Sequence, residues 1–301
     1  MSHKGVRVPA FRMCLRALLL SSCLISSAVQ VDAAPVRIVS WNVEWFPGRY
    51  PDATPRQKRQ HIEEVKMTLR RLKPDVLILV EVRDAESVRK AISVLHGFQL
   101  NVISDFEGRP QQIAIASRFP LSRGGTAPWI KVFTGPPRGF VFAELRLPDQ
   151  KCLQVAGVHW KSNRGLMPLN MAFREISALQ LRGFLDMLNT DSPHCTQHGT
   201  IIAGDMNTSL DEVRFSTDDS MRYLIGSGMY WPFSRLTSAE RITWHGDSYH
   251  EAVQFDHFLT ANVGSPVARV LKAGLISDHS PIELVIDTDD ILEEPEPAAS
   301  P

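Results

Sequence analysis

VRIVSWN at residues 36–42 and DVLILVE at residues 75–81 are short, β-branched apolar runs, and each stops on a side chain able to hold a metal ion or a phosphate, Asn42 and Glu81. Runs of this length and composition read as strands buried on both faces. Between them Thr54 and Pro55 supply an N-cap and a first-turn proline, so residues 55–73 read as a helix and the three elements as a βαβ unit. Two further runs have the same form: LQVAGVH ends on His159 and TIIAGD on Asp205. In layered α/β folds ligands collect beyond strand ends, so four sequence-distant polar groups are placed to meet in one crevice. VQFDHF, with Asp256, and SDHSP, with Asp278 and His279, add the carboxylates and imidazole that metal-assisted attack on phosphorus needs.

Outward from these runs the pattern predicts a helix over 84–96, strands near 98–104, 111–117, 138–147 and 151–159, a helix over 170–190 and a strand at 200–204. Shorter strands are expected around 241–245, 253–260, 267–272 and 281–286. So many strands with so few helices imply two sheets packed face to face. Each sheet must also bury its second face, so the expected fold is α/β (α+β), a four-layer α/β/β/α sandwich.

The chain has 301 residues and is 44% hydrophobic, enough for a full core. Lys4, Arg7, Arg12 and Arg16 precede an apolar stretch from Ala17 to Val31 and the small-residue exit VDAAP, which reads as a secretory signal over residues 1–33 and a periplasmic or secreted product. The stretch is interrupted by serines and Gln30, so it does not read as a membrane span, and the mature chain is expected to have none. Leu20, Ser21, Ser22 and Cys23 offer a lipoprotein alternative. Without residues 1–33 the chain holds 29 basic against 32 acidic residues, a net of −3; the acidic stretch 287–301 accounts for six of the acids, leaving +3 over residues 34–286. That mild balance permits a local patch for a polyanion and excludes a generally cationic nucleic-acid platform. The domain is expected over 34–286 without a linker or repeat, and 287–301 as a disordered tail. Cys152 and Cys195 each sit just before a site-bearing strand; parallel neighbours there would bring them within disulfide reach.

Six motifs together, WNVEWF (41–46), LVEV (79–82), GVHWKS (157–162), GDMN (204–207), FDHF (255–258) and SDHSP (277–281), resemble the endonuclease/exonuclease/phosphatase superfamily, in the expected order over residues 36–286. The resemblance implies a deoxyribonuclease I-like sandwich and a Mg²⁺-dependent phosphoric ester hydrolase, with Mn²⁺ or Ca²⁺ as alternative ions. It implies Glu81 as direct metal ligand, with Asn42 beside it and Asp278 completing the shell. His279 with Asp256 resembles the family's His/Asp dyad. Asp205 would align the attacking water, Asn207 donate to a phosphoryl oxygen, and His159 bind phosphate or assist the leaving group. Lys161, Arg164 and Arg174 follow closely and are candidates, on position and charge only, for contacts to neighbouring phosphates.

Taken singly, each residue has a plainer role available: Asn42 capping a turn, Glu81 pairing with Arg83, Asp205 and Asn207 satisfying turn amides. Strand alternation turns His257 away from Asp256, so it reads as structural. Tyr230, Trp231, Phe233 and Trp244 read as packing residues before base- or lipid-stacking ones. Where many of the family's nucleases have a tyrosine, this chain has Gln111 and Gln112. The expected function is an exported nuclease acting on nucleic acid as a monomer with no stable protein partner. The alternatives are a phosphatase or sphingomyelinase-type headgroup phosphodiesterase, and, more remotely, a non-catalytic binding protein.

Overall fold

The computed structural model describes residues 35–106, 110–131, 135–190, 195 and 197–292. The expectations for residues 1–33, and for the tail from 293 onward, lie outside the described residues. No helix among the described residues is long and apolar enough to cross a membrane.

Among the described residues eleven strands form two sheets. The first contains β1 (Val36–Phe46), β2 (Val76–Val82), β3 (Gln99–Ile103), β4 (Gln112–Ser117), β10 (Val267–Val270) and β11 (Ile282–Ile286), in the order β10-β11-β1-β2-β4-β3. The second contains β5 (Leu121–Pro128), β6 (Gly139–Arg146), β7 (Cys152–His159), β8 (His198–Asp205) and β9 (Asp256–Ala261), in sequence order. Parallel pairing is confined to β1 with β2 and β7 with β8; the other neighbours run antiparallel.

Side-chain alternation builds the layers. Ile38, Ile78 and Val80 point from the first sheet into a core shared with Val155, Ile201 and Phe258 of the second. Their neighbours Val39, Trp41, Leu77 and Leu79 face outward onto Val65, Leu69 and Val88 of α1 (Pro55–Leu72) and α2 (Ala85–Ile92). On the other side Ala156, Val158, Ile202 and Leu259 pack on Ala178, Leu181 and Leu224 of α3 (Met167–Thr190) and α4 (Ser220–Gly226). This is the four-layer sandwich expected. Full burial of one such side chain contributes roughly 1.5–3 kcal/mol, whereas an exposed ion pair adds about 1 kcal/mol at most, so packing rather than surface charge holds the layers. Gly157 lets the sheets approach: a Cβ there would lie 3.1 Å from Ile113 and 3.2 Å from Ile78 across the core.

Local signals explain the helix starts. Thr54 caps α1 in a reciprocal box with Gln57, and Asp84 caps α2 through the Ser87 N–H at 2.7 Å. Cys152 and Cys195 are joined as a disulfide with Cα atoms 6.0 Å apart, consistent with parallel β7 and β8. Glu144 lies close to the two sulfurs, but bonded sulfurs are not thiolates, so this grouping is no metal site.

Several expectations need correction. α2 ends at Ile92 rather than 96. The strand expected at 241–245 is replaced by a 3₁₀ turn over Ser238–Arg241 and single bridges from Trp244 to Val253 and His279. β5 and α4 were not anticipated, because the edge strand LSRGGTAP lacks apolar alternation and α4 is only seven residues long. The domain does not stop at 286. Asp287 caps a turn over Thr288–Asp290, and Ile291, 3% exposed, bridges to Val263. One buried isoleucine there outweighs the acidic composition of its neighbours.

Candidate active site

The parallel pairs β1–β2 and β7–β8 bring their C-terminal ends to one edge of the sandwich. Both strands of the first pair are irregular there: β1 slips against β2 between Asn42 and Phe46, and β2 against β4 between Val80 and Val82. Glu44 (φ 45°), Trp45 (φ 52°) and Glu81 (φ 65°) consequently adopt left-handed backbone, at about 1–3 kcal/mol each. The distortion turns groups toward one another. The Trp45 N–H donates to Glu81 Oε2 at 3.1 Å and the Glu44 N–H to Asn42 Oδ1 at 3.1 Å. Asn42 Nδ2 donates to Asp205 Oδ2 at 3.0 Å and more loosely to Glu81 Oε1 at 3.3 Å. In β8, Gly204 (φ 143°) is obligatory, since a Cβ would lie 2.0 Å from the Val158 carbonyl oxygen.

Register places His159 beside Asp205 and Asp205 beside Asp256. His159 Nε2 is 3.7 Å from both Glu81 Oε1 and Asp205 Oδ2. His279 Nε2 is 3.9 Å from Asp205 Oδ2, and its Nδ1 lies 2.6 Å from Asp256 Oδ2. The Asn207 N–H donates to Asp205 Oδ1 at 2.9 Å. Thus the sequence-derived set Asn42, Glu81, His159, Asp205, Asn207, Asp256 and His279 forms one connected cluster. Asp278 borders it: its charge acts on Glu81, and Trp244 Nε1 donates to its Oδ2 at 3.3 Å.

Supporting residues escaped the sequence reading. Glu44 accepts from the Asp278 N–H at 3.1 Å and pairs with Arg49 at 2.8 Å. Ser277 Oγ donates to the Asn42 carbonyl at 2.7 Å and accepts from the His279 N–H at 3.1 Å, tying the SDH loop to β1. Arg138 donates to the carbonyls of His159 and Trp160 at 3.1 and 2.8 Å. Glu44 lies inside WNVEWF but two places after Asn42, and Trp244 is an aromatic in a loop; nothing in the sequence pattern assigns either one a contact with Asp278.

Electrostatics divide the groups. Burial lifts the Glu81 carboxyl above its usual range; the His279 charge and the Trp45 N–H oppose this, and Asp278 adds to it. Asp205 is pushed up to about 7 by burial and by Asp256 and Glu81, against the pull of His279. Burial would lower His279, but Asp256, through charge and hydrogen bond, then Asp205 and Asp278, push it up to about 10. His159 is held neutral by burial, helped by Arg138 and His279. Buried carboxylates whose ionisation is opposed by their own burial, with hard oxygens on Glu81 and Asp278, suit a divalent cation such as Mg²⁺, Mn²⁺ or Ca²⁺. Asn42 meets the carboxylates through its amide nitrogen, so as arranged it orients them, and its oxygen would face an ion only after the amide turns over.

The proposed phosphate contacts fare differently. Lys161 Nζ bends back to the carbonyls of Ser162 and Arg164, both at 2.8 Å, while Arg164 is exposed. Arg174 is corrected: fully buried, it pairs with Asp218 at 2.6 Å and donates to the Lys161 carbonyl at 2.9 Å, so it braces the loop from inside and does not reach a phosphate. Gln112 is likewise structural, accepting from Ser104 Oγ at 2.7 Å.

His257 faces away from the cluster. Its Nε2 lies 2.9 Å from the Thr208 carbonyl, and its Nδ1 accepts from Trp231 Nε1 at 3.3 Å, so the neutral tautomer satisfies both. Burial lowers its pKa to about 4. A depressed folded-state pKa means the unfolded chain binds the proton more tightly between about 4 and 6.5, so stability present above pH 6.5 is lost on acidification through that window. Melting temperature should fall between pH 7 and 4.5, and His257→Gln should flatten that dependence; an equally steep slope in the variant would exclude His257 as a source.

The family model for Endonuclease/Exonuclease/phosphatase proteins matches residues 39–279. This chain belongs to that family. The match spans every motif of the cluster, from Asn42 to His279. No curated protein sequence matches the chain significantly. Among solved structures, SmcL is 16% identical with a TM-score of 0.63, covering 84% of this chain and 99% of that one. Sphingomyelinase C from Streptomyces griseocarneus is 14% identical with a TM-score of 0.62, over 85% and 100%. D. rerio TDP2 complexed with single strand DNA product is 15% identical with a TM-score of 0.62, also over 85% and 100%. At these identities the likeness is one of fold. The family generally hydrolyses phosphoester bonds, so this family member has the sandwich and the lineage of a phosphoester hydrolase.

Proposed function

We propose that the protein is a divalent-metal-dependent phosphodiesterase whose substrate is a nucleic acid. The observation that carries this reading is the connected cluster Asn42–Glu81–His159–Asp205–His279–Asp256, assembled from both sheets through contacts of 2.6–3.9 Å. A phosphodiester resists attack because its charge repels nucleophiles and its transition state concentrates more charge on the oxygens. Glu81 and Asp278, with Asn42 beside them, would hold the cation, which when bound supplies the compensating positive charge.

The remaining roles belong to the chain's own side chains. Asp256 fixes the Nδ1–H tautomer of His279 and steadies the imidazolium. His279 holds its proton because carboxylates surround it; once those carboxylates are compensated, its Nε2 can take a proton from water. Asp205, facing that Nε2, orients the water. The side chain of Asn207 donates to a phosphoryl oxygen, and neutral His159 serves the phosphate or the leaving group. Nucleic acid is favoured by the likeness to D. rerio TDP2 in its DNA product complex and by the exposed Arg164 on the loop whose Asn163 donates to the Asn207 carbonyl. A second reading, hydrolysis of a lipid headgroup, draws on the likeness to sphingomyelinase C and on Tyr249 and Leu275, 90% and 83% exposed on loops at the same edge. Export to the periplasm or medium is part of the proposal; the Cys152–Cys195 bridge suits an oxidising compartment.

The test is a side-by-side assay of plasmid DNA, RNA, sphingomyelin vesicles, inositol phosphates and bis(p-nitrophenyl) phosphate in Mg²⁺, Mn²⁺, Ca²⁺ or EDTA. DNA nicking that stops in EDTA is expected. Turnover confined to sphingomyelin would select the second reading, and undiminished turnover in EDTA would overturn the metal assignment.

A further inference from the structure

Arg214 stands in the loop between β8 and α4, on a 3₁₀ turn over Val213–Phe215. Its surroundings invert the usual burial order. Val213 is 86% exposed, while the arginine beside it is folded inward with its guanidinium carbon 4.9 Å from the Phe215 ring centroid and 5.9 Å from that of Phe255. Three other arginines carry carboxylate partners: Arg49 has Glu44, Arg174 has Asp218 and Arg241 has Asp211. Among the described residues Arg214 has no ion pair; its Nε is turned inward without a hydrogen-bond partner, as are Arg174 Nη2 and Arg241 Nε, so the missing carboxylate is what sets Arg214 apart. Exposing a valine while laying a cation on two aromatic rings is a local conflict of the kind that functional sites retain.

The arginine also lies on a continuous path to the catalytic cluster. The Phe255 ring is 5.5 Å from that of Trp244, whose Nε1 donates to Asp278 at 3.3 Å, and Phe255 immediately precedes Asp256. Trp244 is partly exposed, so the path reaches the surface beside Asp278. We propose that Arg214 is a subsite for a second phosphate of a nucleic-acid strand, away from the bond being cut, with its guanidinium lying over Phe215 and Phe255 and its terminal Nη groups turned to the phosphate oxygens. This deepens the nucleic-acid reading and rests on it. A substrate with a single phosphodiester has nothing to place there.

The experiment compares wild type, Arg214→Met and Arg214→Lys on a single-stranded deoxyoligonucleotide and on bis(p-nitrophenyl) phosphate, in Mg²⁺ over a salt series. Arg214→Met should raise KM for the oligonucleotide about tenfold with little change in kcat, the loss appropriate to one charged hydrogen-bonded contact. Its log KM should also respond less steeply to log salt, by about 0.7, the value of one released counterion on a single strand. Arg214→Lys should keep the salt slope of wild type and show a smaller rise in KM. Hydrolysis of bis(p-nitrophenyl) phosphate should stay within about twofold in both, since no contact is lost. Equal losses on both substrates would mean that Arg214 only packs the loop, and an unchanged KM for the oligonucleotide would mean that it touches no phosphate; either overturns the subsite. If Arg214→Met does not fold, Arg214→Lys decides: a KM unchanged for the oligonucleotide, or raised equally for both substrates, overturns it. Wild type that hydrolyses bis(p-nitrophenyl) phosphate but no oligonucleotide overturns the nucleic-acid reading and the subsite together, whereas oligonucleotide cleavage indifferent to Arg214 overturns the subsite alone.

Discussion

Replacing His279 with alanine should lower kcat by about 10³-fold on whichever phosphodiester the protein turns over, within the range observed when a positioned acid–base group is removed. The loss must be separated from damage to the fold. Asp256 is fully buried, and its Oδ2 is paired with His279 Nδ1 at 2.6 Å. Stripping the imidazole leaves that charge without its partner, a change that destabilises by about 3–5 kcal/mol in comparable buried pairs. His279→Gln is therefore the informative companion, since its amide can still donate toward Asp256 while lacking any basic nitrogen. Steady-state rates at matched folded fractions, from thermal melts of the same samples, make the comparison. A His279→Gln protein within tenfold of wild type would remove the dyad from the mechanism.

Glu81→Gln should separate catalysis from stability in the opposite direction. Activity with Mg²⁺ should fall by at least about 10²-fold, because the charged hard-oxygen ligand is gone. The metal-free variant should melt no lower than wild type. Burial raises the Glu81 carboxyl above its ordinary range, so its ionised form is costlier in the fold than in the unfolded chain, and that cost is present at neutral pH and vanishes as pH falls. Glutamine removes the cost while leaving an oxygen for the Trp45 N–H, now 3.1 Å from Glu81 Oε2. In wild type, Mg²⁺ at 100 times its dissociation constant should add about 2.7 kcal/mol by mass action, seen as a rise in melting temperature. The variant should show little of that rise. An equal Mg²⁺-induced shift in both proteins would move the cation away from Glu81.

Layering and most of the site were readable from the chain because they obey short-range rules. Strands buried on both faces must be apolar throughout, so VRIVSWN and LQVAGVH announce themselves, and the polar residue ending each run is conspicuous. Cys152 and Cys195 were paired on the same logic. What stayed hidden depends on backbone geometry that no period encodes. The left-handed stretch at Glu44 and Trp45 turns Glu44 onto the Asp278 N–H, yet nothing in WNVEWF marks it. Arg174 differs from its expectation for a related reason: charge and proximity in sequence suggest a phosphate contact, whereas Asp218, 44 residues away, pairs with it inside the protein. Composition alone makes 287–301 a tail, because the single apolar anchor at Ile291 stands among acidic neighbours.

Because the first sheet carries Asn42 and Glu81 and the second carries His159 and Asp205, the gap between the two sheets is also the ruler that sets reach among the catalytic groups. Gly157 is a thin spacer in that gap, with Ile113 and Ile78 close to the place a methyl group would take. Interior volume well below the mouth is thereby tied to alignment at its rim, and a larger residue at that depth would widen the jaws without touching a single reacting atom.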